Sequence, residues 1–425
     1  GRFMTYANNG FSDKNFARFN APNGWVSWPF NNSLPKATSA FNSIVEKTNR
    51  KGVFYAQALV LRAQVYQRYV DMYGALPVGL EADAAAYSSQ ENVYKLLIAN
   101  LDTAATLLKP NLETTLNEEF DKVYAGQLGK WYKLANSLKL RLAIRMRYAD
   151  PAAAKKAGEE AVAAGVITSN EDNCAVTYVP NGQYKTSVEW GDSRACADLE
   201  CFLTGYSDPR LSAYFKPAKQ FTTRTIIGCL VGAKIENKTI ADKLYSEAKV
   251  DKNTRGVWLT AAEMAFCRAE GAIAGWSGMG GTVEDLYNRA ISLSFEQWGL
   301  GSASSYLSNN TNTQANYTDA DGGYGQNVAA VSSITIKWDD TATDEKKLER
   351  LITQKWIALF PDGQEAWSEI RRTGYPKVFP VAKSTSGYNL DVPNRIPFAN
   401  DELTKNPVNY RKAVQLIGGT DDYAA

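Results

Sequence analysis

The chain has 425 residues, 47 basic and 45 acidic, for a formal charge of +2, and its charges are mixed along the sequence rather than gathered in blocks. That balance argues against a polyanion partner, and no apolar run approaches the ~20 residues needed to span a bilayer. Histidine is absent, which removes Ser/His/Asp and Cys/His nucleophiles, His-ligated zinc and the His-carboxylate iron triad, and leaves only carboxylate chemistry such as glycoside hydrolysis among the common enzyme classes.

In chain order, the first aromatics of note are Trp25 and Trp28 with Asn31, ahead of the first strong helix. A short helix is expected near Ser39–Thr48, and a long one over Val53–Tyr73, where Leu59, Ala63, Tyr66, Val70 and Tyr73 recur on one face before Gly74 and Pro77. Ser88 or Ser89 can cap a further helix carrying Val93, Leu97, Leu101, Ala104 and Leu108, ended by Pro110. Lys130–Arg147 follows with Trp131, Ala135, Leu138, Leu142 and Met146 on one side and Lys139, Arg141, Arg145 and Arg147 around its flanks; Asp150-Pro151 opens an Ala-rich helix that stops at Gly165. Successive helix pairs of this size imply degenerate tetratricopeptide-like units stacked as a solenoid.

Periodicity weakens over residues 170–252, where Ala175–Val179 and Thr225–Val231 suggest small strands around an isolated Trp190. Helices are expected again at Trp258–Ile273 and Val283–Phe295, with Trp276 beside glycines between them. The stretch Ser302–Thr343 is rich in Asn, Thr, Ser, Gly and Asp and carries Tyr317 and Tyr324; a loop that long is normally functional or covers a neighbour. Asp344–Phe360 and Gln364–Arg372 read as helices, the second capped by Thr373-Gly374, and the chain beyond Lys377 reads as extended and Pro-rich. The fold class is therefore mostly α, a tetratricopeptide-like scaffold over about 14–165, 257–298 and 344–373, with loop-rich, minor-β segments at 170–252 and 302–343. The whole of 1–425 is expected to act as a single domain.

Cys174, Cys196, Cys201, Cys229 and Cys267 show no metal-type spacing; buried free thiols are expected, with a Cys196–Cys229 bridge as the alternative. Asp319-Ala320-Asp321-Gly322-Gly323 has the alternating carboxylates of a calcium loop but does not complete the twelve-residue pattern, so a solvated turn is expected and no metal or cofactor is assigned.

Several stretches resemble the SusD/RagB (SusD-like) family. Ala56-Gln57-Ala58-Leu59-Val60-Leu61-Arg62-Ala63, running to Val70-Asp71-Met72-Tyr73-Gly74-Ala75-Leu76-Pro77, is similar to its Ala/Leu/Arg-rich helix ending in an aromatic-Gly-x-x-Pro turn. Ala269-Glu270-Gly271-Ala272, Gly275–Thr282 and Ser294–Gly299 resemble a second segment, and the most specific one is Ile352–Pro376, which holds Trp356-Ile357-Ala358-Leu359-Phe360-Pro361-Asp362-Gly363 and Ile370-Arg371-Arg372-Thr373-Gly374-Tyr375-Pro376. Asn136–Leu142 completes a resemblance spanning nearly the whole chain. Trp356 and Trp367 are expected to pack core, and Arg371 and Arg372 to favour the helix C-terminal dipole.

The resemblance implies a lipid-anchored protein on the outer face of an outer membrane, with leader and lipidated Cys outside this stretch. It implies capture of oligosaccharides for a SusC-like TonB-dependent transporter. The rivals are a peptide-binding RagB-type member, a peptide-binding tetratricopeptide adaptor and a glycoside hydrolase, though no carboxylate pair stands out for the last. Aromatic residues make up 12% of the chain, and flat rings suit the C–H faces of sugars; the expected ligand residues are Trp25, Trp28, Asn31, Trp190, Trp276, Tyr317 and Tyr324.

Overall fold

The computed structural model describes residues 1–7, 14–79, 83–221 and 224–425. The chain forms two compact units, one from 21–167 and 393–425, the other from 1–20 and 168–392.

The first unit is built from helical hairpins. A short helix α1 (Asn23–Trp28) passes through a π-turn (Pro29–Ser33) into α2 (Leu34–Thr48), and α3 (Gly52–Tyr73), α4 (Gln90–Leu108), α5 (Leu128–Met146) and α6 (Pro151–Ala164) follow. Each helix from α2 onward packs on the next in sequence, the tetratricopeptide-like arrangement. Their limits follow from local chemistry. The Ser89 side chain accepts from Asn92 N–H at 3.2 Å and that of Asp150 from Ala153 N–H at 3.1 Å, while Gly74 (φ 84°) ends α3. A Cβ at Gly74 would sit 2.8 Å from Ile417 Cγ2, so the aromatic-Gly signature also marks a close approach.

The core is the predicted stripe: Leu59, Ala63, Tyr66, Val70, Val93, Leu97, Leu101, Trp131, Ala135 and Leu138 are all buried. Two of the cations expected around the flanks of α5 are enclosed. Lys139 and Arg141 are 5% and 2% exposed, because α5 is enclosed by α4, α6 and α3; Lys139 reaches out to the half-exposed carboxylates of Asp102 at 2.6 Å and Glu160 at 2.8 Å.

The second unit pairs Met4–Tyr6 with Ser193–Ala195, and Cys174–Val176 with Gly256–Leu259, both antiparallel. It contains α7 (Gly182–Tyr184), α8 (Ala197–Gly205), α9 (Arg210–Tyr214), α10 (Lys238–Leu244), α11 (Ala261–Ile273), α12 (Val283–Gln297), α13 (Ser304–Leu307), α14 (Asp344–Ala358) and α15 (Gly363–Thr373). Trp258 lies in a strand rather than in α11, since residues 256–259 pair with 174–176 and Thr260 caps the helix. Helix α14 packs on both α11 and α12. All five cysteines are buried free thiols; Cys196 and Cys229 are neighbours across an isolated parallel bridge but are not joined.

The two arginines at the end of α15 do not serve the helix dipole as expected. Arg372 bonds Glu270 at 2.5 and 2.8 Å and Glu369 at 2.6 Å, and Lys355 reaches Glu369 at 3.1 Å, with every member nearly inaccessible to water. Arg371 lies over the Trp367 ring, 3.8 Å from its centroid. The charged letters of the family-like segments thus meet as one internal cluster tying α11, α14 and α15 together.

Past residue 392 the chain returns to the first unit and forms α16 (Asp401–Lys405) and α17 (Pro407–Leu416), where extended structure was expected. Arg395 donates to the Tyr73 carbonyl at 2.8 Å and lies over Phe398, anchoring this return to the end of α3.

Candidate ligand-binding surface

Pro29 has no N–H to give, yet the helical path continues through it as a π-turn in which Leu34 N–H reaches back to Pro29 C=O, five residues away. The inner side of the segment is pinned. Tyr73 Oη donates to Val26 C=O at 2.8 Å, Tyr69 Oη to Pro29 C=O at 3.2 Å, and the Phe30 ring meets Tyr73 edge-on and stacks with Tyr87. The outer side carries Trp28, 59% exposed, with Asn31 exposed within one turn of it; Asn32 Nδ2 donates to Trp28 C=O at 3.2 Å. Trp25 is half-buried.

The same helical path walls a groove of about 570 Å³, in the range of small-ligand sites. Phe30 and Leu34 give it an apolar lining; Ser39, Asn42, Ser43 and Glu46 add hydroxyl, amide and carboxylate groups. Thr38 also lines it, with its hydroxyl 2.6 Å from Tyr66 Oη and donating to Leu34 C=O. These groove residues were not among the expected ones. The readable signal was a run of small polar residues at i, i+1, i+4 and i+5 on α2, a helix face that nothing apolar fills. Glu46 is the only carboxylate among the described lining residues, which therefore offer no pair of acids of the kind glycoside hydrolysis needs.

In the second unit Trp190 is 46% exposed and follows another π-turn, Lys185–Glu189, closed by Trp190 N–H to Lys185 C=O at 2.8 Å. Its base is firm: the buried Asn181 side chain accepts from Gln183 and Tyr184 N–H and donates to Thr254 C=O. The other aromatics of this unit are placed differently. Trp276 is 7% exposed, and a Cβ at Gly271 would come within 2.9 Å of its ring, so it packs against α11. Tyr317 is 1% exposed and donates to Asp319 Oδ1 at 2.6 Å; neither side chain offers a face to a ligand. Tyr324 is half-buried against the same cluster, with its N–H on Tyr245 Oη at 3.3 Å. Burial, followed by Cys229 and Asp319, pushes the Tyr245 and Tyr317 phenols up, which keeps them neutral donors to Asp319.

The structure thus brings Trp28 and Asn31 together, and separately Tyr317 and Tyr324. Of the two carboxylates in the calcium-like run, Asp319 is occupied from within, its Oδ2 taking Gly325 N–H at 2.6 Å, and Asp321 is exposed. Among the described residues no group of three or more His, Cys, Asp or Glu side chains is placed to hold a metal, and no helix is long and apolar enough to cross a membrane.

Comparison with known proteins assigns these features to a common framework. A family model described as SusD and RagB outer membrane lipoprotein matches residues 1–425. A SusD-like protein from Bacteroides thetaiotaomicron is 36% identical, with a TM-score of 0.94 over 99% of this chain and 90% of its own. A chitin-binding SusD homologue from Flavobacterium johnsoniae is 35% identical, TM-score 0.93, with the same coverage. A SusD homologue from Bacteroides uniformis is 34% identical, TM-score 0.92, covering 100% of this chain and 91% of that one. A search of curated proteins returns no match. With the family model spanning every residue and the tetratricopeptide-like fold shared at near-full length, the chain belongs to the SusD-like family of outer membrane lipoproteins.

Proposed function

We propose that this protein captures oligosaccharides at the cell surface, held there by an N-terminal lipid, and hands them to a SusC-like TonB-dependent transporter. Residues 1–425 would act as one functional module in this role. The family is one of binding proteins rather than enzymes, and a relative 35% identical binds chitin. The observation that carries the reading is the α1–α2 surface, where exposed Trp28 and Asn31 lie on the helical path that also walls a groove of hydroxyl and amide groups. A ring stacks on sugar C–H faces while amides and hydroxyls bond sugar hydroxyls, the pairing a neutral glycan requires.

The test is isothermal titration of the chain against oligosaccharides, chitin fragments included, and against oligopeptides. The expected result is saccharide binding that weakens about tenfold or more, roughly 1.4 kcal/mol, in Trp28→Ala, with a similar loss in Asn42→Ala. Trp25→Ala, Trp190→Ala and Trp276→Ala complete the series. Binding of peptides alone would replace the glycan assignment with a peptide one. Saccharide binding indifferent to Trp28 and Asn42 would move the site elsewhere.

A further inference from the structure

The second π-turn does something that an α-turn at the same place would not. In an α-helix Lys185 would face Glu189, four residues on, and the two charges would neutralise each other. In the π-turn the residue stacked over position 185 is five residues on, and Lys185 Nζ accordingly lies 4.9 Å from the centroid of the Trp190 ring. Neither Lys185 nor Glu189 has an oppositely charged partner within salt-bridge distance among the described residues, whereas neighbouring Lys238 is paired with Asp192 and Lys219 with Asp242. The outcome is a half-exposed indole with an ammonium over its ring that no carboxylate among the described residues satisfies.

This turn is rigid. Asn181 caps its start, and the buried Ser187 hydroxyl donates to Ser193 C=O at 3.2 Å while accepting Ala248 N–H at 3.0 Å. Immediately beyond Trp190, a Cβ on Gly191 would stand 3.3 Å from Arg194 Nη2, and Arg194, with Lys216, Lys219, Asp242 and Glu247, lines a cavity of about 300 Å³. A half-exposed ring and a cation with no carboxylate partner among the described residues are therefore held on one fixed turn, with the polar cavity that Arg194 lines nearby, and π-turns are frequent at functional sites.

We infer that Lys185 and Trp190 form a subsite for an acidic sugar residue, the ring taking the sugar's C–H face and the ammonium its carboxylate. The inference rests on the glycan-binding reading and adds to it a charge class and a second location. The test titrates the full chain with tetragalacturonate, a hyaluronan tetrasaccharide and sialyllactose, each beside its methyl ester, which keeps the sugar and removes the charge. For at least one acid the wild-type chain should bind the free form about fivefold more tightly than the ester, the strength of an exposed ion pair. Lys185→Met should erase that ratio, Lys185→Arg should keep it, and 0.5 M salt, roughly the range where exposed charges are screened, should shrink it. Equal affinity for acid and ester throughout, or a preference that survives in Lys185→Met, overturns the inference while neutral glycan binding leaves the broader reading standing. Failure of every saccharide, charged or neutral, overturns both.

Discussion

Replacing Arg372 by Met cuts into an enclosed cluster of charges in the second unit. Glu270 loses the two guanidinium bonds it receives at 2.5 and 2.8 Å, and Glu369 loses one at 2.6 Å while keeping Lys355 at 3.1 Å. Side chains of Glu270 and Glu369 are 0% and 1% exposed, so water cannot take over those bonds without opening the packing of α11 on α14. Removing one partner of a buried ion pair typically costs about 3–5 kcal/mol, which for a unit of this size lowers Tm by about 6–20 °C. Thermal and urea unfolding followed by circular dichroism, with Glu270→Leu and the double variant completing a cycle, measures this. The double variant should recover part of the loss, since it leaves no carboxylate at position 270 to satisfy. Burial lowers the pKa of Lys355 and Arg372, but Cys267, Glu369 and Glu270 around Lys355, and Glu270 and Glu369 around Arg372, outweigh it, so both are raised. Their stabilisation is fully present below the unfolded values and is lost only as pH climbs through the higher folded ones, so the cost should be level from pH 6 to about pH 9. A loss under about 1 kcal/mol would refute the argument, because it would mean that Glu270 finds water or another donor at little cost.

Three further outcomes follow from buried groups elsewhere. Burial raises every resolved thiol, Cys267 to about 12, so a thiol reagent at pH 8 should leave the folded chain unlabelled and modify all five cysteines once it is unfolded. Burial also raises the carboxyl of Glu200 against the pull of Arg224. The folded state then holds that proton longer than the unfolded one, stability falls as pH rises from about 4.3 upward, and Glu200→Gln should flatten that stretch of a stability–pH profile; an unchanged slope would sink the idea. Asp121 accepts from Val123, Tyr124 and Gly126 N–H and from Trp131 Nε1 at 2.7 Å, so Asp121→Ala should cost about 2–4 kcal/mol in urea unfolding and expose the 111–127 loop to protease; a fully resistant loop would contradict this.

The hairpins from α3 to α6 were legible because their apolar spacing, caps and stop residues agree with one another, as at Ser89, Asp150 and Gly165. Two proline-bearing segments were not: α1, whose helical path runs on through Pro29, and α17, which opens on Pro407 where the missing N–H spares a hydrogen bond, both look like broken extended chain. Arg372 was misjudged for another reason, since Glu270 lies 102 residues away and only the packed fold brings them together. The candidate site divides in the same way. Trp28 and Trp190 are exposed as loop-like aromatics suggested, whereas Trp276 folds back on Gly271, five residues before it, and Tyr317 is buried with Gly228 and Phe379, which are distant in the chain.

The π-turn at Pro29–Ser33 also sets the rotational phase of everything before it. A π-turn is an α-helix with one residue too many, and each residue of an α-helix turns the chain by about 100°. Losing a single codon within those five positions would let the helix close regularly and swing Trp28 about a quarter-turn around its axis, while α2 and the hairpins stacked after it kept their register. The direction in which this surface faces is thus adjustable by the smallest change in length a gene can make.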